Sequence, residues 1–127
     1  HVTVVQVPTY HKLIIVGDVA IIPAPDLTQK VAITNYLIQT AHSLGIEKPK
    51  VALLAATEQV SAAMPACVDA TIISKMGDRG QIKGAIIDGP LALDVAIDAE
   101  SGARQYPRHR GGKWIGNPEI GCDDPCA

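Results

Sequence analysis

The chain has 127 residues, of which 47% are hydrophobic, 19% are charged and 3% are aromatic, and its formal net charge is −2. This length suits one ordinary domain, and the absence of phenylalanine requires an aliphatic core. Because basic residues form no stripe and aromatic stacking platforms are scarce, the composition argues against nucleic-acid binding.

Membrane insertion and secretion are also disfavoured. No apolar stretch is long enough to span a bilayer, and the N-terminus lacks a basic-then-apolar leader pattern. Three cysteines, an odd number at low density, fit reduced thiols better than a disulfide framework. These features predict a cytoplasmic protein.

The first elements in chain order are β-branched, apolar runs at residues 2–7 and 13–16, which predict two strands around a turn. A third apolar run, residues 19–22, ends at Pro23 and Pro25. Prolines so close together neither continue a central strand nor lie inside a helix. We therefore expect a linker here, with a domain boundary near residue 25.

Two helices carry clear local signals. Asp26 is a good N-cap with Gln29 three residues on, as in a capping box, and Gly45 is placed to end the helix. Apolar residues recur at helical spacing between them: Leu27, Val31, Leu37 or Ile38, Ala41 and Leu44. Pro65 fits the first turn of a second helix, whose apolar face is formed by Val68, Ile72 or Ile73, and Met76.

Short apolar runs at 51–56 and 85–87 alternate with these helices, and residues 91–99 look helical after a turn at Gly89 and Pro90. Runs of this kind are typical of buried parallel strands linked by crossovers. The predicted fold class is therefore α/β, with a parallel or mostly parallel sheet and flanking helices.

A site in such a sheet is expected beyond the carboxyl ends of its strands. Asp88, Gly89 and Pro90 follow one predicted strand and Asp94 falls in the next helix, so both carboxylates could face one cleft and orient a substrate or act as a general base. Alternatively, Asp88 caps the following helix and Asp94 is solvated. Thr57, Glu58 and Ser61 follow the other strand, where they could hold a phosphate or form a plain polar connection.

Residues 101–127 show no sustained period and favour a loop or tail. Cys122, Cys126 and His109 lie there, but their spacing matches no zinc pattern, so no metal site is predicted. Cys67 on the second helix is best explained as a small core residue.

Five separated motifs resemble the phosphate acetyl/butyryltransferase family, particularly its butyryltransferase-like branch. They occur in the family order at residues 10–13, 24–27, 50–54, 64–66 and, above all, 79–94, which read RGQIKGAIIDGPLALD. They are spread from residue 10 to residue 94, so the resemblance extends over nearly all of residues 1–100.

The resemblance implies an enzyme that moves a short acyl group between coenzyme A and inorganic phosphate, with coenzyme A as a co-substrate and no permanently bound cofactor. It also implies a homo-oligomer with two α/β domains, similar to isocitrate/isopropylmalate dehydrogenases, and a site in the cleft between them. Residues 1–25 would end the first domain, and residues 26–127 would form most of the second. The residues expected to line the cleft are Asp88, Gly89, Pro90 and Asp94, followed by Thr57, Glu58 and Ser61.

The last stretch departs from the family. Similarity is lost over residues 106–114 and returns over 116–120, as compensating frame errors would cause, and the chain begins at His1 without an initiator methionine. Family members are similar in carrying a Ser-Arg-x-Asp motif near the C-terminus, which is absent here, so no catalytic residue is assigned. We expect a fragment of a longer acyltransferase with a damaged segment 101–127; the alternative is a catalytically silent α/β module that binds coenzyme A or a partner subunit. An unrelated nucleotide-binding domain is disfavoured because no Gly-rich fingerprint is present.

Overall fold

The computed structural model describes residues 1–18 and 21–97. Its elements follow in the order β1 (Val2–Gln6), β2 (Leu13–Gly17), α1 (Leu27–Ser43), β3 (Lys50–Leu54), α2 (Pro65–Asp78), β4 (Ile86–Leu91) and α3 (Leu93–Ile97). The predicted α/β class is confirmed. Segment 101–127, with Cys122, Cys126 and His109, lies outside the described residues.

The strands form two separate pairs in the described part of the chain. β1 and β2 pair antiparallel, from Val2 opposite Gly17 to Gln6 opposite Leu13. β3 and β4 pair parallel. The sheet structure is therefore mixed rather than mostly parallel, because the short 7–12 connection lets β2 fold directly back along β1.

The apolar run at 19–22 does not form a strand at its described end. Ile21 and Ile22 are not in a strand, and Asp18 has a positive φ of 57°. The Ile22 N–H donates to Asp18 Oδ1 at 3.1 Å, so a side chain takes the place of a strand partner. The chain therefore turns after β2 instead of extending.

Helix α1 begins with the predicted capping box. Gln29 N–H donates to Asp26 Oδ1 at 2.8 Å, and Asp26 N–H donates to Gln29 Oε1 at 2.9 Å. At the other end, Gly45 follows the C-cap with a φ of 88°, a conformation that glycine adopts without strain. Ile38 is buried on the inner face, whereas Leu44, predicted on that face, is 43% exposed.

The main core lies between β3 and β4 and the two long helices. Its buried members are Ile38, Val51, Ile73, Ile82 and Ile87. Ile38, Val51, Ile73 and Ile87 come from α1, β3, α2 and β4, and Ile82 lies in the connection between α2 and β4. Both helices therefore cover the same face of the parallel pair. The helices are joined by an ion pair of 2.7 Å between Lys30 Nζ and Asp69 Oδ2.

Helix α3 covers the opposite face. Leu91, Val95 and Ala96 are buried there against Ala52 and Ile86. The predicted helix 91–99 is therefore too long at its start, since Leu91 is the last residue of β4 and the helix begins at Leu93. Residues 98 and 99 lie outside the described part. The parallel pair thus has helices on both faces, as in a doubly wound sheet.

Candidate functional site

Strand β4 contains a bulge at its carboxyl end. Ala52 pairs with Asp88 and Leu54 with Leu91, so two steps along β3 correspond to three along β4. The extra residue comes from the Gly89–Pro90 segment, whose peptide bond is cis. The predicted turn at this dipeptide is wrong, because both residues continue the strand.

Gly89 is in close contact with the neighbouring strand. A Cβ at this position would lie 2.6 Å from Leu53 Cβ and 2.7 Å from the Leu53 carbonyl oxygen. Only glycine allows this approach, so the bulge depends on it. Pro90 beside it is buried.

The Asp88 carboxylate is held from two directions. Its Oδ1 atom accepts the Gly89 N–H at 2.8 Å and the Ser74 hydroxyl at 3.3 Å. Asp88 therefore does not cap the following helix, which begins five residues later at Leu93. The sequence analysis did not single out Ser74. Its place next to the buried Ile73 in α2 is the signal that could have indicated a polar contact between this helix and the sheet.

The β3–α2 connection begins alongside the end of β4, where the Ala55 N–H donates to the Leu91 carbonyl at 3.0 Å. Within it, Thr57 Oγ1 accepts the Gln59 N–H at 3.1 Å, and Ser61 Oγ accepts the Ala63 N–H at 3.3 Å. Because both hydroxyls act as acceptors in these bonds, each still has its proton to donate to a ligand. Glu58 lies between them and is half-buried.

The first turn of α2 is a poor anion site by itself. Pro65 at its first position has no N–H, and the Cys67 N–H donates to the Met64 carbonyl at 3.0 Å. Among these first three positions of α2, this leaves the Ala66 N–H as the amide that could donate to an anion. A phosphate here would depend on the Thr57 and Ser61 hydroxyls more than on the helix terminus.

The predicted site residues form two groups at the same end of the parallel pair. Asp88, Gly89 and Pro90 lie in the bulge of β4, and Thr57, Glu58 and Ser61 lie in the loop after β3. Asp94 is exposed in the first turn of α3, which agrees with the solvated alternative.

A cavity of about 790 Å³ lies elsewhere, between β2 and β3. None of the seven predicted site residues lines it. Consecutive residues of both strands do, which means that the cavity runs along strand edges rather than at strand ends. It is therefore a gap between two sheets and a separate feature from the predicted site.

Residues 1–18 and 21–97 contain neither a cluster of metal-ligand side chains nor a membrane-spanning helix. That part of the chain has no group of three or more histidine, cysteine or carboxylate side chains placed to hold a metal ion. None of its helices has the length and hydropathy needed to cross a bilayer. Cys67, with no exposed surface, is confirmed as a core residue.

Known proteins resemble this chain over most of its length. The family model described as phosphate acetyl/butaryl transferase matches residues 1–120. The phosphate butyryltransferase of Clostridium acetobutylicum is 42% identical over 122 residues, which are 94% of this chain and 39% of that protein. The phosphate acetyltransferase of Thermotoga maritima is 39% identical over 104 residues, 82% of this chain and 35% of that protein.

Solved structures agree. A branched-chain phosphotransacylase from Enterococcus faecalis V583 superposes with a TM-score of 0.76 at 30% identity, covering 94% of this chain and 41% of that one. The present chain thus spans about two fifths of the length of such relatives. Since the family model matches far more than half of the chain, the protein belongs to the phosphate acetyl/butaryl transferase family.

Proposed function

We propose that the whole protein exchanges a short acyl group between coenzyme A and inorganic phosphate. The observation that carries this proposal is the family match over residues 1–120, which includes the 79–94 stretch that forms β4 and its bulge. Since the chain spans 39% of the C. acetobutylicum relative, the activity is proposed for the complete enzyme.

The proposed reaction needs no nucleophile from the protein. An oxygen of phosphate attacks the thioester carbonyl carbon, the carbon–sulfur bond breaks, and the coenzyme A thiolate leaves and takes up a proton. The reverse direction needs the thiol to lose that proton to a base. The protein must therefore bind phosphate, support the carbonyl oxyanion and exchange a proton with sulfur.

The carboxyl ends of β3 and β4 offer groups for part of this work. The hydroxyls of Thr57 and Ser61 retain donor capacity for phosphate oxygens, and Glu58 lies between them. The Asp88 carboxylate is held in one orientation by Ser74 and Gly89, as a group that orients a substrate must be. We propose that these residues, with Gly89, Pro90 and Asp94, line the cleft.

The proposal also includes the cofactor use, location, oligomeric state and domain architecture of the enzyme. Coenzyme A is a co-substrate rather than a resident cofactor, the protein is a cytoplasmic homo-oligomer, and the full-length architecture has two domains. The domain boundary near residue 25 stays a prediction. The separate β1–β2 sheet supports it, whereas the packing of Ile33 and Leu37 of α1 against Gly17 of β2 counts against it.

A catalytically silent α/β module that binds coenzyme A or a partner subunit is the second candidate. The two are separated by thiol release from butyryl-CoA and phosphate, measured beside coenzyme A binding by calorimetry. Phosphate-dependent thiol release supports the transferase. Coenzyme A binding with no turnover by the complete protein would support the silent module instead.

Asp88→Asn tests the site within an active enzyme. We expect kcat/KM to fall by about 100-fold, in the range typical of a lost carboxylate at a reacting centre. Glu47→Gln is the matched control, because Glu47 is exposed in the connection between α1 and β3. Equal activity in both variants would remove Asp88 from the site while leaving the reaction itself intact.

A further inference from the structure

The ion pair between the two long helices lies at the same end of the parallel pair as the predicted site. Lys30 Nζ of α1 is 2.7 Å from Asp69 Oδ2 of α2. Helix α2 connects the parallel strands β3 and β4, so it runs antiparallel to both, and its Ser74 bonds to Asp88. Asp69 comes five residues before Ser74, about 7.5 Å farther along the helix, which is about two strand residues beyond Asp88. The ion pair is therefore level with the end of β4.

Lys30 is a cation among carboxylates. The other lysine and arginine residues of the described ranges, 1–18 and 21–97, precede or begin a strand or end α2: Lys12, Lys48, Lys50, Lys75, Arg79 and Lys83. The carboxyl end of the parallel pair carries negative side chains instead: Glu58, Asp69, Asp88 and Asp94. Phosphate and acyl-CoA are both anions, which carboxylates repel. Within the described ranges, Lys30 is therefore the lysine or arginine placed to offset that repulsion.

The position of Lys30 brings no benefit to its own helix. It is the fourth residue of α1, near the positive end of the helix dipole, where a cation is disfavoured. The two side chains of the ion pair keep 27% and 22% of their surface exposed, so a ligand can reach them without opening the core. A phosphate group could thus take the place of Asp69 beside the Lys30 ammonium.

Lys30 also faces the same space as the two ends of the loop after β3. It lines the cavity between β2 and β3 together with Leu54 and Ala66. Leu54 is the last residue of β3, and Ala66 lies in the first turn of α2, so the loop with Thr57 and Ser61 runs between them. Lys30 and this loop therefore border one junction between the cavity and the predicted site.

We propose that Lys30 binds the inorganic phosphate of the acyl transfer by exchanging the Asp69 carboxylate for a phosphate oxygen. The Ala66 N–H and the hydroxyls of Thr57 and Ser61 supply the further donors to the same anion. Asp69 competes with phosphate for Lys30 and holds the ammonium when phosphate is absent. This inference rests on the proposed function, since the anion is the phosphate of that reaction.

Steady-state kinetics of the complete enzyme test the proposal with Lys30→Met. The KM for phosphate should rise at least about 10-fold, because a charge-assisted bond to phosphate is lost, while the KM for butyryl-CoA stays within about 2-fold. Lys75→Met is the matched control, since Lys75 is exposed in the last turn of α2, and its phosphate KM should not change. An unchanged phosphate KM in Lys30→Met, or a rise confined to butyryl-CoA, overturns the proposal.

Asp69→Asn separates phosphate binding from a purely structural ion pair. The phosphate KM should fall in this variant, because Lys30 loses its competing carboxylate. If the ion pair served only to hold α1 against α2, Asp69→Asn would raise the phosphate KM as Lys30→Met does, and that result overturns the proposal. This variant decides the question even if Lys30→Met does not fold.

Calorimetric titration with inorganic phosphate alone makes the test independent of turnover. The unmodified protein should bind phosphate at least about 10-fold more tightly than Lys30→Met, in line with the loss of one charge-assisted bond. Equal affinities, or no phosphate binding by the unmodified protein, would overturn the role of Lys30. Absence of thiol release from butyryl-CoA would contradict the proposed function instead, and it would leave this comparison of affinities valid.

Discussion

Gly89 of β4 lies so close to Leu53 of β3 that a Cβ on the glycine would be 2.6 Å from Leu53 Cβ and 2.7 Å from the Leu53 carbonyl oxygen. One of these two atoms is a backbone oxygen, which cannot move aside as the end of a flexible side chain can. The contact lies inside the bulge that presents Asp88 at the carboxyl end of the sheet. Stability and site geometry are therefore linked at this glycine.

Gly89→Ala should lower the free energy of unfolding by about 2–3 kcal/mol, because the added methyl group overpacks the strand pair. Urea denaturation followed by circular dichroism measures this change. Gly45→Ala is the control: it has nothing within 4 Å but a φ of 88°, so only conformational strain of about 1 kcal/mol is expected. Equal losses in the two variants would show that the Leu53 contact carries no special cost.

Ser74→Ala should destabilise the protein by about 1 kcal/mol, because Asp88 Oδ1 loses one of its donors in a partly buried place. Ser43→Ala is the matched control. Its hydroxyl donates to the Gln39 carbonyl at 2.9 Å on the exposed side of α1, so a change within about 0.5 kcal/mol is expected. A Ser74→Ala variant as stable as the Ser43→Ala variant would mean that the 3.3 Å bond adds nothing.

Asp26→Ala should cost about 1 kcal/mol, because it removes the bond from the Gln29 N–H to the Asp26 carboxylate at the start of α1 and leaves only the bond from the backbone N–H of residue 26 to Gln29 Oε1. Thermal unfolding should show a lower midpoint, with the same helical signal before the transition. Asp26→Asn keeps a side-chain oxygen for the Gln29 N–H and should restore most of the loss. Failure of asparagine to recover stability would point to the charge of Asp26 rather than its hydrogen bond.

Tyr10 should make the protein less stable at alkaline pH. Burial raises the pKa of the Tyr10 phenol above its usual value of 10.0, because desolvation disfavours the charged phenolate. The folded state therefore keeps a proton that the unfolded state releases. The stability linked to this proton is fully present below pH 10 and is lost as the pH rises through the raised folded-state pKa.

Denaturation at about pH 9 and about pH 11 measures this effect, since these values lie on either side of tyrosine ionisation. Tyr10→Phe should lose less stability over this interval than the unmodified protein. Tyr36→Phe should lose as much as the unmodified protein, because Tyr36 is 57% exposed. Parallel losses in the unmodified protein and the Tyr10→Phe variant would contradict the assignment to Tyr10.

Local signals were sufficient for the long helices. Asp26 and Gln29 marked the start of α1, and Pro65 marked the first turn of α2, because capping and proline geometry involve only neighbouring residues. Helical periodicity did not decide whether Ile72 or Ile73 faces the core. The structure buries Ile73 and leaves Ile72 39% exposed, a choice made by the helix's rotation against β4.

The end of β4 could not be predicted from neighbouring residues in the sequence alone. Gly89 and Pro90 carry the sequence signal of a turn, and the helix was predicted to start at Leu91. In the structure Leu91 still pairs with Leu54, because the neighbouring strand accepts a bulge where Gly89 meets Leu53. For the same reason Asp88 bonds to Ser74, a partner 14 residues earlier, instead of capping a helix.

The sequence by itself determined the α/β class, the two long helices, the aliphatic core and the family, since these follow from periodicity, capping and motifs carried by adjacent residues. Only the tertiary structure decided that β1 and β2 pair antiparallel, that β4 runs through Gly89–Pro90, and that Asp88 is held by Ser74. Strand pairing and side-chain contacts join residues distant along the chain, and which of them meet depends on how whole elements pack.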